Sequence, residues 1–200
     1  MVPRAVSSLT LKLCSALLVL AILCATDLRA ELNLSPRKED FELDGVKLWR
    51  LAFENGTDEK ATYQPPAGWS YSGGTNELSL QPPGKTQTNV MITKIGSDRA
   101  VSFAEGDREK LKQRATEALP EGSTEIQVEE PQLNVLQISG KDTCLVKVRY
   151  RSFGEKFQRY FLLLNLSEGQ LRFQLTCREC DYDELVQAFQ RSLYSWQHVI

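Results

Sequence analysis

The stretch from residue 143 to residue 196 constrains the fold most. Three segments rich in β-branched and aromatic residues, 143–151, 157–166 and 171–176, follow one another with only short polar breaks. Apolar runs of this length bounded by glycine read as hairpins. Phe153-Gly154-Glu155-Lys156 puts glycine at the first central position of a two-residue turn, as type II′ requires. Ser167-Glu168-Gly169 puts glycine third, where a three-residue loop wants a left-handed residue. These turns set Val148 opposite Phe161, Leu163 opposite Phe173 and Phe161 opposite Leu175. Val146, Val148, Phe161, Leu163, Phe173 and Leu175 then form one apolar face, which must be covered. The expected cover is a helix over 181–192, opened by Asp181 with Glu184 as its capping box and lined by Leu185, Phe189 and Leu193. An antiparallel meander followed by its own covering helix is α+β, an antiparallel β-sheet flanked by helices.

The segments upstream agree with that class. Residues 46–54 (VKLWRLAFE) alternate and read as a strand, which Asn55-Gly56-Thr57-Asp58 breaks. In Gln64-Pro65-Pro66-Ala67-Gly68-Trp69 the prolines mark a strand edge or turn, and Gly68 permits a bend that brings the Trp69 indole inward. Residues 77–81 and 89–95 read as two strands separated by Pro82-Pro83-Gly84. Residues 102–119 read as a helix with Ser102 and Glu105 as capping box and Leu111, Ala115, Ala118 and Leu119 on one face. Residues 124–128 and 133–138 are further strand candidates. Residues 31–44 are polar with little periodicity and are expected to form a loosely ordered lead into a single domain over 45–200.

The first thirty residues read as an address. Arg4 and Lys12 precede a thirteen-residue apolar run, 13–25, and Leu28-Arg29-Ala30 offers a cleavage site. The run fits the apolar region of a secretory signal, roughly 7–15 residues, and falls short of the ~20 that a membrane span needs. The expected protein is therefore exported to the bacterial periplasm or the extracellular space after losing residues 1–30, with no membrane span in what remains. Removing Arg4, Lys12, Arg29 and Asp27 changes the net charge from −2 to −4. That balance gives no electrostatic case for nucleic acid or an anionic membrane.

The remaining chain has one histidine, His198, close to the C-terminus, so a histidine-based triad or a multi-histidine metal site has little to draw on. No phosphate loop or dinucleotide fingerprint is present, and no cofactor is expected. Cys177-Arg178-Glu179-Cys180 is a C-x-x-C motif ahead of the last helix. A redox role needs a depressed thiol pKa, but Glu179 and Asp181 flank Cys180, and negative neighbours raise it. The plainer reading of Cys177 and Cys180 is a local disulfide or two loop thiols, with Cys144 a small buried hydrophobe. The second face of the meander gathers Lys147, Arg149, Arg151 and Arg172 around Tyr160, with Leu162 and Leu164 beside them under the first helix. Such a cluster suits a carboxylate or phosphate, although arginine stems also simply cover apolar surface.

The Pro65-Pro66-Ala67-Gly68-Trp69 turn after a strand, a central helix, and the hairpin-to-helix unit over 157–196 together resemble the PsbP/Mog1-like domain, over roughly residues 43–196. The likeness is to small exported bacterial members of unassigned role. It implies an antiparallel sheet flanked by helices, in an α/β/α sandwich, and a binding or accessory domain rather than an enzyme. The expectation is an exported non-enzymatic domain for an unknown protein or small anionic ligand. The alternative is an envelope thiol–disulfide protein using Cys177 and Cys180.

Overall fold

The structure, a computed structural model, describes residues 32–55, 57–167 and 169–199. The expected signal segment lies outside the described residues. The chain opens with strands β1 (Arg37–Leu43), β2 (Val46–Asn55) and β3 (Thr57–Tyr63), then β4 (Ser70–Gly73), β5 (Glu77–Gln81) and β6 (Asn89–Gly96). Helix α1 (Arg108–Thr116) follows, then β7 (Thr124–Val128), β8 (Gln132–Leu133), β9 (Thr143–Ser152), β10 (Glu155–Leu166) and β11 (Gly169–Arg178). Helix α2 (Tyr182–Leu193) and the short β12 (Gln197–Val199) complete it.

All strand pairs are antiparallel, and the class is α+β as the meander predicts. The strands divide between two sheets rather than one. The smaller runs β1-β2-β3-β12 and the larger β4-β5-β6-β11-β10-β9-β7, with β8 also on β9. The larger sheet is apolar on both faces. One face presents Leu162, Leu164, Phe173 and Leu175 to Leu185, Phe189 and Leu193 of α2 and to Leu51, Phe53 and Tyr63 of the small sheet. Trp196 fills this core, stacking on Phe53 at 5.4 Å and meeting Phe173 edge-on. Trp69 turns inward onto Phe189, and Gly68 before it adopts φ +79°, which a side chain would resist. The opposite face presents Cys144, Val146, Val148, Phe161 and Leu163 to Leu111 and Ala115 of α1.

The meander's registers differ from those predicted, and the two errors have different consequences. Ser152 pairs with Glu155, so the first turn centres on Phe153 and Gly154, at φ 49° and 82°. Two positive φ values are the type I′ signature. That moves the register by two residues, which leaves side chains on their predicted face. Leu166 pairs with Gly169, so the second loop has two residues, not three. That is a slip of one, which inverts a strand. Phe173 and Leu175 therefore lie opposite Leu162 and Tyr160, away from Val146 and Phe161. Helix α2 packs on the Phe173 and Leu175 face, and α1 covers the Val146 and Phe161 face, the reverse of the predicted arrangement. Gly169 explains the slip. It belongs to the strand, where a Cβ would stand 2.3 Å from the Ile95 carbonyl oxygen, so glycine is needed for close approach of β6.

Residues 32–44 are also more structured than their composition suggests. Residues 37–43 form β1 along β2, and Leu32 and Leu34 are fully buried in the core between the sheets. The Leu34 amide donates to the Thr75 carbonyl at 2.9 Å, tying this segment to the large sheet's edge. Helix α1 is shorter than predicted. A 3-10 turn over Glu105–Asp107 replaces its first turn, no side chain caps it, and Ala118 adopts φ 55° beyond its end. Of the predicted strand over 133–138, only the first residue lies in β8; Leu136 and Ile138 are buried in a turn region. Asp181 precedes α2 but accepts from Lys85 and Arg178 instead of capping the helix.

Candidate functional site

The predicted cationic cluster separates into two places. Lys147, Arg149 and Arg151 share a face with Tyr160, but Tyr160 pairs with Lys147 rather than Arg149 and is fully buried. The three cations are drawn to the edge: Arg149 meets Glu129 at 3.3 Å, Lys147 approaches the same carboxylate, and Arg151 meets Glu125 at 3.0 Å. Each is already matched by an acid from around β7. Arg172 is on the opposite face of the sheet, a direct result of the one-residue slip, and pairs with Leu163 and Thr93. Leu162 and Leu164 are covered by the α2 side, not by α1.

The cysteines are likewise apart. Cys144 faces the α1 side and Cys177 the α2 side, both fully buried, while Cys180 is exposed; all three are free thiols. Burial raises the Cys144 pKa to about 11. Burial, aided by the Asp181 carboxylate and Cys180, raises that of Cys177 to about 12. Neither is a ready thiolate at neutral pH. Among the described residues no group of three His, Cys, Asp or Glu is placed to hold a metal ion.

The concave region of the large sheet lies beside Arg172. Past the C-terminal end of α1 the sheet face is uncovered, and a cavity of about 650 Å³ opens there. This is within the range of small-molecule sites, about 300–1,000 Å³. Its floor is built by strand alternation: Tyr150 from β9, Phe157 and Arg159 from β10, Arg172, Gln174 and Thr176 from β11, and Met91 from β6. Ala118 and Pro120, after α1, wall one side, and Phe153 at the hairpin tip forms the rim. Phe153 is 95% exposed, unusual for so large an apolar side chain at a left-handed position. Among the described residues, two guanidinium groups line the cavity, and no carboxylate, histidine, lysine or cysteine does.

The two arginines differ in what they hold. Arg159 is 4% exposed. Its Nε donates to Thr176 Oγ1 at 3.1 Å, and its terminal nitrogens donate to the carbonyls of Ala115, Glu117 and Ala118. The last carbonyls of a helix lack internal partners and carry partial negative charge, so Arg159 serves as the cap of α1. Burial lowers its pKa, and among the described residues no acidic side chain bonds to it. Arg172 makes a single hydrogen bond, to Thr93 Oγ1 at 3.0 Å, and its buried Nε has no hydrogen-bond partner among the described residues. Burial lowers its pKa too, with Arg114 adding to the effect and Glu117 and Glu77 opposing it.

Arg159 was absent from the predicted site, though a signal for it exists. It falls in frame with Phe157, Phe161 and Leu163, so a charged residue interrupts an apolar stripe. The predicted register sets Gln174 and Thr176 with Arg172 on the Tyr160 face, and the one-residue slip brings them instead beside Phe161 and Arg159.

No family model matches the chain, and no curated protein matches it. Several solved structures are similar to it, two of them as follows. One, a protein of unknown function from Pseudomonas aeruginosa, is 14% identical with a TM-score of 0.44, over 79% of this chain and 94% of that one. The other, cyanobacterial PsbP from Synechocystis sp. PCC 6803, is 12% identical with a TM-score of 0.49, over 88% of this chain and 97% of that one. Both likenesses are distant, and the functional reading rests on the site itself.

Proposed function

We propose that the chain is an exported, non-enzymatic binding domain, and that its ligand is a small anion held in the cavity over Arg159 and Arg172. One observation carries this reading: a cavity of ligand-binding size lined, among the described residues, by two guanidinium groups and no acid. Buried cations without an acidic partner attract an anion from solution. The non-enzymatic part rests on what lines the cavity. Its polar groups are hydroxyls, carboxamides and arginines, none of which titrates near neutral pH as a general base must. Export rests on the signal-like leader, and no helix among the described residues is long and apolar enough to cross a membrane. The buried, high-pKa Cys177 argues against the thiol–disulfide alternative.

The test is a titration of the isotopically labelled protein with a panel of small organic acids, followed by amide chemical shifts. Shifts clustered at Met91, Gln174 and Thr176 support the site. Shifts confined to Lys147 and Arg149 would move binding to the sheet edge, and an unresponsive cavity across the panel would end the proposal.

A further inference from the structure

We infer that the cavity takes a peptide C-terminus: a free terminal carboxylate, the amide behind it and an aromatic side chain beyond. The inference rests on the reading of the cavity as an anion site and adds the order in which its chemistry is arranged. At one end, Arg172 is the guanidinium with open capacity. Five N–H donors are available to an arginine; among the described residues one is taken by Thr93, and the buried Nε lies out of a ligand's reach, so the terminal nitrogens form the fork. Arg159 is not open in this way, because its three nitrogens already hold Thr176 and the carbonyls that end α1. One open planar fork matches one planar carboxylate, which accepts two parallel hydrogen bonds. A phosphate carries about −1.5 to −2 charge. It wants further cations, and among the described residues no lysine lines the cavity. Glu77 and Glu117 are near enough to act on Arg172 electrostatically, but neither lines the cavity, and Glu117 is held by Arg114 at 3.1 Å.

At the other end the surface is aromatic. Tyr150 and Phe157 stack at 5.6 Å with 17° between their planes, and exposed Phe153 lies at the rim. A ligand ring laid there gains stacking and removes an exposed apolar side chain from water. The spacing sets the length. Phe157 pairs with Arg178, six residues along β11 from Arg172. At about 3.3 Å per residue their rows stand about 20 Å apart at Cα level. Even with arginine and rings reaching toward each other, a compact acid such as benzoate cannot touch both ends. Between them lie Gln174 and Thr176, a carboxamide and a hydroxyl that match a peptide amide better than an alkyl chain. Charge, amide and ring in that order describe a C-terminal residue preceded by an aromatic one.

Four probes test this on the labelled protein: N-acetyl-phenylalanyl-glycine, its C-terminal amide, N-acetyl-alanyl-glycine and inorganic phosphate. The acid is expected to bind at least tenfold more tightly than the amide or the alanyl peptide, with shifts at Met91, Gln174 and Thr176. Arg172→Gln is expected to abolish the preference for acid over amide, and a thermal unfolding transition like the parent's shows that the variant is folded. Phe157→Leu is expected to abolish the preference for phenylalanine over alanine. Equal binding of acid and amide, or tighter binding of phosphate at the same residues, would overturn the peptide assignment and leave the cavity as a binding site. Failure of all four probes to move those amides would overturn the peptide assignment, and failure of the wider acid panel would remove the site itself.

Discussion

Arg159 shows how much a single buried charge can organise. Its guanidinium joins β10 to the last carbonyls of α1, so a polar side chain in an apolar stripe ends the helix and opens the cavity beside it. Arg159→Met removes the donors and leaves buried carbonyls unpaired, and should cost about 2–4 kcal/mol in denaturant unfolding. Arg159→Lys keeps the charge but not the fork, and should recover only part of that. If Arg159→Met instead unfolds at the same denaturant concentration as the parent, the cap has no energetic role. The cysteines give a second expectation at this scale. At pH 8 an alkylating reagent should modify Cys180 in the native protein and reach Cys144 and Cys177 only after unfolding, because both are buried with pKa values raised to about 11 and about 12. Cys180→Ser should be silent, whereas Cys177→Ser places a hydroxyl in the core and should cost about 1–3 kcal/mol. Rapid native labelling of Cys177, followed by mass spectrometry of its peptide, would restore the redox alternative.

At the scale of elements, the sequence makes existence legible and register much less so. The strands of the meander, the helix with Leu185, Phe189 and Leu193, and the inward Trp69 all follow from local patterns that the structure keeps. Register depends on which residues occupy a turn, and both turns here mislead. Phe153 takes a left-handed position that β-turn chemistry reserves for Asn or Gly, so glycine at 154 appears to be first when it is second. Gly169 appears to be a loop residue because the reason for it, the Ile95 carbonyl 2.3 Å from where a Cβ would be, is 74 positions away in the chain. The site was lost for the same cause: Arg172 was grouped with Lys147, Arg149 and Arg151 although the slip puts it on the other face. Gly169→Ala tests this account. It forces a side chain both into a φ of +147° and against the β6 backbone, and should cost at least about 1–3 kcal/mol. A neutral Gly169→Ala would mean that β6 and β11 are not in the observed register.

Across the whole molecule the core lies between two sheets, and the first described residues help to close it. Leu32 and Leu34 are fully buried with Leu78, Phe173 and Trp196, and β1 borders β2 only a few residues later. A polar, aperiodic segment thus contributes two anchors that its composition hides, because two leucines among charges carry no detectable period. This bears on export. Cleavage after Ala30, as the leader suggests, leaves both leucines in the mature chain, whereas removal of even a few more residues would take them. Losing a buried leucine costs about 2–5 kcal/mol, and two such losses approach the whole stability of a domain, about 5–15 kcal/mol. A chain starting at Val46 also lacks β1 and leaves the β2 edge open. It should therefore show no cooperative thermal transition, while one starting at Glu31 should unfold in a single step. N-terminal sequencing of the native protein should accordingly find its first residue at or before Glu31. A native terminus beyond Leu34, or a cooperative and equally stable chain from Val46, would show that the N-terminal segment is the dispensable lead its composition suggests.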